Sequence, residues 1–146
     1  MFSKEESAKL RKEFWTSFGK SFPRKWILYN TQIKDFSFKF VANQKGAMVC
    51  LDIESYDATK NQLLFEQLTA IKNLIIEDYV PSIVFDDAFQ LENGKVIHRI
   101  YVKHTKEFNI HYKNTVQAAY DFFNLNMHQF EMFYDEFEDF IKQAVY

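Results

Sequence analysis

Glycine and proline are scarce in this chain, with three Gly and two Pro among 146 residues. Flexible linkers and low-complexity spacers draw on those residues, so no hinge between two domains is expected. The sequence reads as a single domain over 1–146, long enough to bury roughly 68–70% of its unfolded surface in one core. Gly19, Gly46 and Gly94 stand apart. That excludes a glycine-rich phosphate loop, and no serine lies in a glycine-flanked elbow.

Cysteine is scarcer still. Cys50 is alone, so no internal disulfide can form, which fits a reducing compartment. It lies in the apolar run Ala47–Val49–Leu51 and reads as a small buried residue rather than a nucleophile. An excess of either charge is also missing: 18 basic against 20 acidic residues leave a net charge of −2, too small to steer a polyanion. No apolar run approaches membrane-spanning length, and Met-Phe-Ser-Lys-Glu-Glu is no secretory signal. A soluble cytoplasmic protein is therefore expected, with no membrane partner. His98, His104, His111 and His128 share no i, i+4 pair and no C-x-x-C partner, so neither metal nor cofactor is expected. His98 falls on an inner strand face, where a core histidine is the ordinary outcome.

What the chain has in quantity is aromatic surface: seventeen Phe, eight Tyr and two Trp. Each ring buries a large area, which leaves a surplus for an interface. The last third concentrates it. Val116, Tyr120, Phe123, Met127, Phe130, Tyr134, Phe137 and Ile141 alternate steps of four and three, one stripe of a long helix. Phe122, Phe133 and Phe140 flank the stripe, so the apolar face is too wide for a two-stranded seam and calls for a sheet beneath it.

Upstream, Ser3-Lys4-Glu5-Glu6 has capping-box spacing, and Leu10, Phe14, Phe18 and Phe22 continue a helix to about Lys20, where Pro23 stops it. Trp26 to Tyr29 is a short strand or a buried loop. Phe36, Phe38 and Phe40 alternate as a strand, Asn43-Gln44-Lys45-Gly46 turns, and Ala47–Ser55 returns. Asp57 or Thr59 opens a second helix with inner face Leu64, Leu68, Ile71 and Ile75, ending before Pro81. Ile83–Leu91 and Lys95–Lys103 flank Glu92-Asn93-Gly94, a second hairpin. Asn114 caps the last helix. The expected fold is α+β, in the order αββαββα, with a four-stranded, mostly antiparallel sheet and three helices covering one face. The charge is split: residues 1–25 carry seven basic against three acidic side chains, while 114–146 carry Lys142 against six acids. Helices of opposite sign are expected side by side or at opposite ends of one surface.

The segments Phe14-Trp15, Asn61 to Phe65, Leu68, Lys72, Ile76-Glu77 and the strand around Phe85 resemble an uncharacterised bacterial family catalogued as a domain of unknown function. That family occurs alone and as the C-terminal part of proteins with a restriction-nuclease-like front half. The resemblance spans nearly the whole chain but rests on packing positions. It implies no catalytic residues, and it suggests company with nucleic acid.

Three candidate surfaces follow. By strand parity, Lys39, Asp52, Glu54, Arg99 and Tyr101 share the outer sheet face, as a site or as solvated cross-strand pairs; Val96, Ile100 and Val102 point inward. Phe122, Phe133 and Phe140, rimmed by Asp135, Glu136 and Glu138, form a candidate interface for a protein partner or a second copy. Lys20, Arg24, Lys25 and Trp26 are candidate nucleic-acid contacts, cations for phosphates with a ring for a base. A metal-dependent nuclease core needs an acid on one strand, then an acid, one residue and a Lys on the next; Asp52-Ile53-Glu54-Ser55 lacks that Lys, and among Asp86, Asp87, Glu92 and Lys95 the last two flank the Asn-Gly turn instead of sharing a strand face. The expected function is a non-catalytic protein-interaction or self-association module. The alternative is a nucleic-acid-binding accessory domain, with a metal-dependent nuclease-like enzyme more distant.

Overall fold

In the computed structural model, which describes residues 3–146, the chain opens with α1 (Lys4–Ser21). Ser3 caps it, its hydroxyl accepting from the Glu6 N–H at 3.1 Å. Glu5 and Glu6 in the first turn and Lys20 in the last complement the helix dipole. Strands β1 (Phe36–Asn43) and β2 (Gly46–Ile53) form the first hairpin, with Gly46 at φ 125°, a conformation that suits glycine. Helices α2 (Ala58–Ala70) and α3 (Lys72–Asp78) follow, then β3 (Val84–Gln90), β4 (Val96–Lys103) and α4 (Lys113–Lys142). The sheet runs β1-β2-β4-β3 and every neighbouring pair is antiparallel, so the α+β class and both hairpins are as expected.

The second expected helix is two helices. The chain turns at Ile71, whose N–H bonds Leu68 and Thr69 carbonyls instead of continuing the ladder. No glycine or proline marks the spot. The turn keeps Leu64, Leu68, Ile71 and Ile75 buried while bringing Tyr79 to the rings of Phe133 and Phe137. The start of α4 also differs. Tyr112 rather than Asn114 is the cap, without a side-chain cap bond. Thr115 closes this end: its hydroxyl accepts from the Asn109 N–H at 3.0 Å and lies 2.7 Å from the Asn109 and Tyr112 carbonyls.

The stripe on α4 is the centre of the core. Tyr120, Phe123, Met127, Phe130, Tyr134 and Ile141 are buried, and Val116 and Phe137 half-buried. Below them lies the inner sheet row Phe38, Leu51, Ile100 and Phe85, paired across all four strands. Phe38 meets Phe130 at 6.2 Å and Tyr134 at 5.5 Å. Helix α1 lies beside α4 through Phe14 and Phe18, both against Tyr120, whose hydroxyl donates to the Phe14 carbonyl at 2.6 Å. Helix α2 covers the other end through Phe65, against Phe85 and the inward His98. All these contacts fall on one face of the sheet.

Residues 22–35 form a loop rather than a strand, and they cover the edge of β1. The Leu28 carbonyl accepts from the Phe38 N–H, and buried Thr31 donates to the Phe36 carbonyl at 2.6 Å. Leu28, Gln32 and Asp35 all have positive φ, strain that the surrounding contacts hold in place. Tyr134 on α4 fixes the loop by donating to the Thr31 carbonyl at 2.7 Å; burial pushes its phenol well above the ordinary range. The opposite edge, β3, is short, acidic and bulged, features that discourage strand addition. Among the described residues no helix is long and apolar enough to cross a membrane.

Candidate functional site

The sheet face away from the helices carries three rows, polar at one side and mixed with apolar residues toward the other. Ser37, Asp52, Arg99 and Asp86 pair across the strands, next to Lys39, Cys50, Tyr101 and Val84, and then Val41, Met48 and Lys103. Parity thus placed Lys39, Asp52, Arg99 and Tyr101 on the correct face. Two of the four are not exposed. Asp52 is fully buried and Arg99 is 5% exposed, although no described helix packs on this side.

A β-bulge explains the burial. Asp86 pairs with Arg99, but the next pair is Phe89 with Ile97, so one extra residue shifts the alternation of β3. Phe89 therefore comes to the outer face, its ring 4.3 Å from the Arg99 guanidinium carbon and 5.6 Å from the Tyr101 ring. Beneath that lid Arg99 grips Asp52 with two bonds, Nε to Oδ1 at 2.7 Å and Nη2 to Oδ2 at 2.9 Å. Its third nitrogen reaches Met48 Sδ at 3.7 Å. The alternation of β4 itself is unbroken: Val96 keeps the inner parity of Ile100 and Val102 but, at the strand end, is 58% exposed, while Ile97 on the outer face beside Phe89 is buried.

The ionic chain continues toward water. Lys39 Nζ lies 3.3 Å from Asp52 Oδ2 and 3.0 Å from Glu54 Oε2, and Lys95 Nζ lies 3.8 Å from Glu54 Oε1. Burial works against the Lys39 charge, but the hydrogen bond to Glu54 and the fields of Asp52 and Glu54 outweigh it, leaving the ammonium above its ordinary range. The balance at Arg99 is the same: burial opposes the charge, and the bonds to Asp52 prevail. Cys50, in the next row, is fully buried, and burial pushes its thiol far above the usual range, as suits an inert residue. This face orders charges and rings; each charge in the chain is already matched.

The candidate interface on α4 is largely consumed inside the subunit. Phe133 is fully buried against Phe130 and Tyr79, which removes it as a contact for another chain. The turn at Ile71 that delivers Tyr79 is what covers it. Phe122 is half-buried with its ring tilted against that of His104 at 4.7 Å, and Phe140 is half-buried with its carbonyl held by Gln67 at 2.6 Å. Burial lowers the affinity of His104 for a proton, with Lys106 adding to the effect, and its Nε2 has no hydrogen-bond partner among the described residues.

The basic-aromatic stretch is likewise occupied. Arg24 pairs with Glu131 of α4, contacts His128 Nδ1 at 3.0 Å and lies 4.2 Å over Trp26. Glu131 also accepts from the Ile27 N–H at 2.6 Å, so it fastens the loop. Trp26 is half-buried against Phe40, while Lys20 and Lys25 are exposed. Of the nuclease residues, Asp86 accepts from the Ala88 N–H in the bulge and Lys95 is drawn to Glu54. Among the described residues no three His, Cys, Asp or Glu side chains are grouped to hold a metal ion.

A concavity that strand parity does not reveal lies between α1, the β1–β2 turn and residues 108–111. It has a volume of about 610 Å³. Arg11, Phe14, Trp15, Lys45 and Phe108 line it, with Glu92 the acid among the described lining residues. The sequence signal is the spacing of Arg11 and Trp15, one turn apart on the side of α1 next to its buried stripe.

No curated protein and no solved structure matches this chain. Residues 10–138 match the family model described as a domain of unknown function (DUF4268). The match covers most of the chain, which therefore belongs to that family.

Proposed function

We propose that this single-domain chain is a non-catalytic interaction module that associates with a second copy of itself through the helix-free sheet face, in the cytoplasm. The observation that carries the reading is the composition of that face. Val41, Met48, Phe89 and Tyr101 are half-buried and Val84 is 42% exposed, an apolar patch on a side of the sheet that no described helix covers. Around it stand both signs of charge, with Lys39, Lys95 and Lys103 against Glu54 and Asp86. A twofold interface places the same patch on both partners, so it must be self-complementary. A face with cations and carboxylates around an apolar centre meets that condition, whereas a face of one sign repels its copy.

The ionic chain supports a binding role over a catalytic one. Asp52, Arg99, Lys39 and Glu54 satisfy one another, leaving no unpaired acid or base in that chain to move a proton. Their rigidity suits a preorganised contact surface. With Phe133 withdrawn into the core, the self-association reading moves from α4 to the sheet. The nucleic-acid alternative keeps Lys20 and Lys25, with Arg24 committed to Glu131.

Multi-angle light scattering tests this. The expected result is a concentration-dependent mass rising toward twice the 17.6 kDa of one chain. Val84→Lys, at an exposed position that a folded monomer tolerates, is expected to hold the mass at one chain. A wild-type protein that stays at one chain mass at all concentrations overturns the proposal.

A further inference from the structure

The chain has three arginines. Arg24 and Arg99 are each bound to a carboxylate and laid over a ring. Arg11 differs. Among the described residues neither its guanidinium nor the Lys45 ammonium has an ion pair or side-chain hydrogen bond, and both are exposed. These two cations line the same concavity, together with Trp15. Trp15 is held firmly, stacked on Phe123 at 5.6 Å and edge-on to Phe14 at 4.8 Å, yet it stays 36% exposed. A fixed, partly open indole beside two uncommitted cations matches a ligand with a flat ring and an anionic group.

The geometry points to a nucleotide unit as the occupant: we propose that its base lies on Trp15 and its phosphate between Arg11 and Lys45. Arginine presents a planar fork that matches phosphate oxygens, and an indole accepts any base by its π-face. The volume of about 610 Å³ falls within the range of small-ligand sites. Two cations against Glu92 suit one phosphate better than a polyphosphate. The unit is supplied either by a free mononucleotide or by one residue of a single strand, which offer the same chemistry. This site is separate from the sheet face and does not depend on self-association.

The test uses Trp15 fluorescence in a Trp26→Phe background, where Trp15 is the only indole. The full chain is titrated at low salt with AMP and, separately, with a thymidine oligodeoxynucleotide. Saturable quenching is expected, and Arg11→Glu or Lys45→Glu is expected to weaken it at least about tenfold. Both substitutions are at exposed positions, so an unchanged melting temperature shows that the fold survives. Quenching by AMP as strong as by the oligonucleotide assigns a free nucleotide, and far tighter quenching by the oligonucleotide assigns a strand; either supports the site. No saturable quenching by either probe at millimolar concentration overturns it. So does equal affinity in the folded Arg11→Glu variant.

Discussion

Removing the buried charges one at a time and then together tests the sheet-face chain most sharply. Asp52→Leu strands the Arg99 guanidinium, whose side chain is 6% exposed, beneath the Phe89 ring. Deleting one partner of a buried pair costs about 3–5 kcal/mol, and little here softens the loss. Arg99→Met is expected to cost less, about 2–3 kcal/mol, because Asp52 keeps Lys39 at 3.3 Å. The double variant replaces the pair with apolar side chains of similar bulk. Such replacements are near neutral or stabilising, so a net change within about 1 kcal/mol of the wild type, or a gain, is expected. The cycle then gives a coupling of at least about 3 kcal/mol. Urea unfolding of all four proteins measures it, with equal m-values confirming that one cooperative transition is compared. Single variants within about 0.5 kcal/mol of the wild type, or a double variant whose cost is the sum of the singles, would refute the claim that this pair is dry.

Three further outcomes follow from side-chain environments. Phe89→Ala uncovers Arg99 and is expected to cost about 2–3 kcal/mol by urea unfolding; a neutral result would mean that the bulge delivers no lid. The Cys50 thiol, buried and held protonated, is expected to resist a thiol reagent in the folded protein and to react fully once urea unfolds it. Fast labelling without denaturant contradicts the buried placement. His104 takes up its proton less readily folded than at its unfolded value of 6.5. Above that value both states are neutral. As pH falls through it, the unfolded chain binds the proton first, so stability declines until the folded state also titrates. His104→Gln is expected to flatten this decline between about pH 7.5 and pH 5.5, and an unchanged pH profile would remove His104 as its cause.

Periodicity made much of the fold legible. The α4 stripe, the α1 cap and both hairpins follow from spacing and turn residues, because those signals are local. What escaped was non-local or broke a period. A single extra residue in β3 carries no mark in Val84–Gln90, yet it redirects Phe89 and converts a face expected to be wet into a covered ion pair. The turn at Ile71 has no glycine or proline; Tyr79 packing on Phe133 is a tertiary contact, and it withdraws a residue taken for an interface. Arg24 looked available because Glu131, which holds it, lies more than a hundred residues away. The groove was illegible for a related reason: Arg11 and Lys45 are brought together by the packing of a helix against a hairpin turn.

Isotope-filtered nuclear Overhauser spectroscopy on a mixture of labelled and unlabelled chains tests the association most directly, because it reports only contacts between copies. Cross-peaks between the Val84, Met48 and Tyr101 side chains of one copy and those of another are expected. Cross-peaks confined to the outer side of α4, at Leu125 and Met132, or none at concentrations where light scattering detects a dimer, would contradict the assignment of the sheet face.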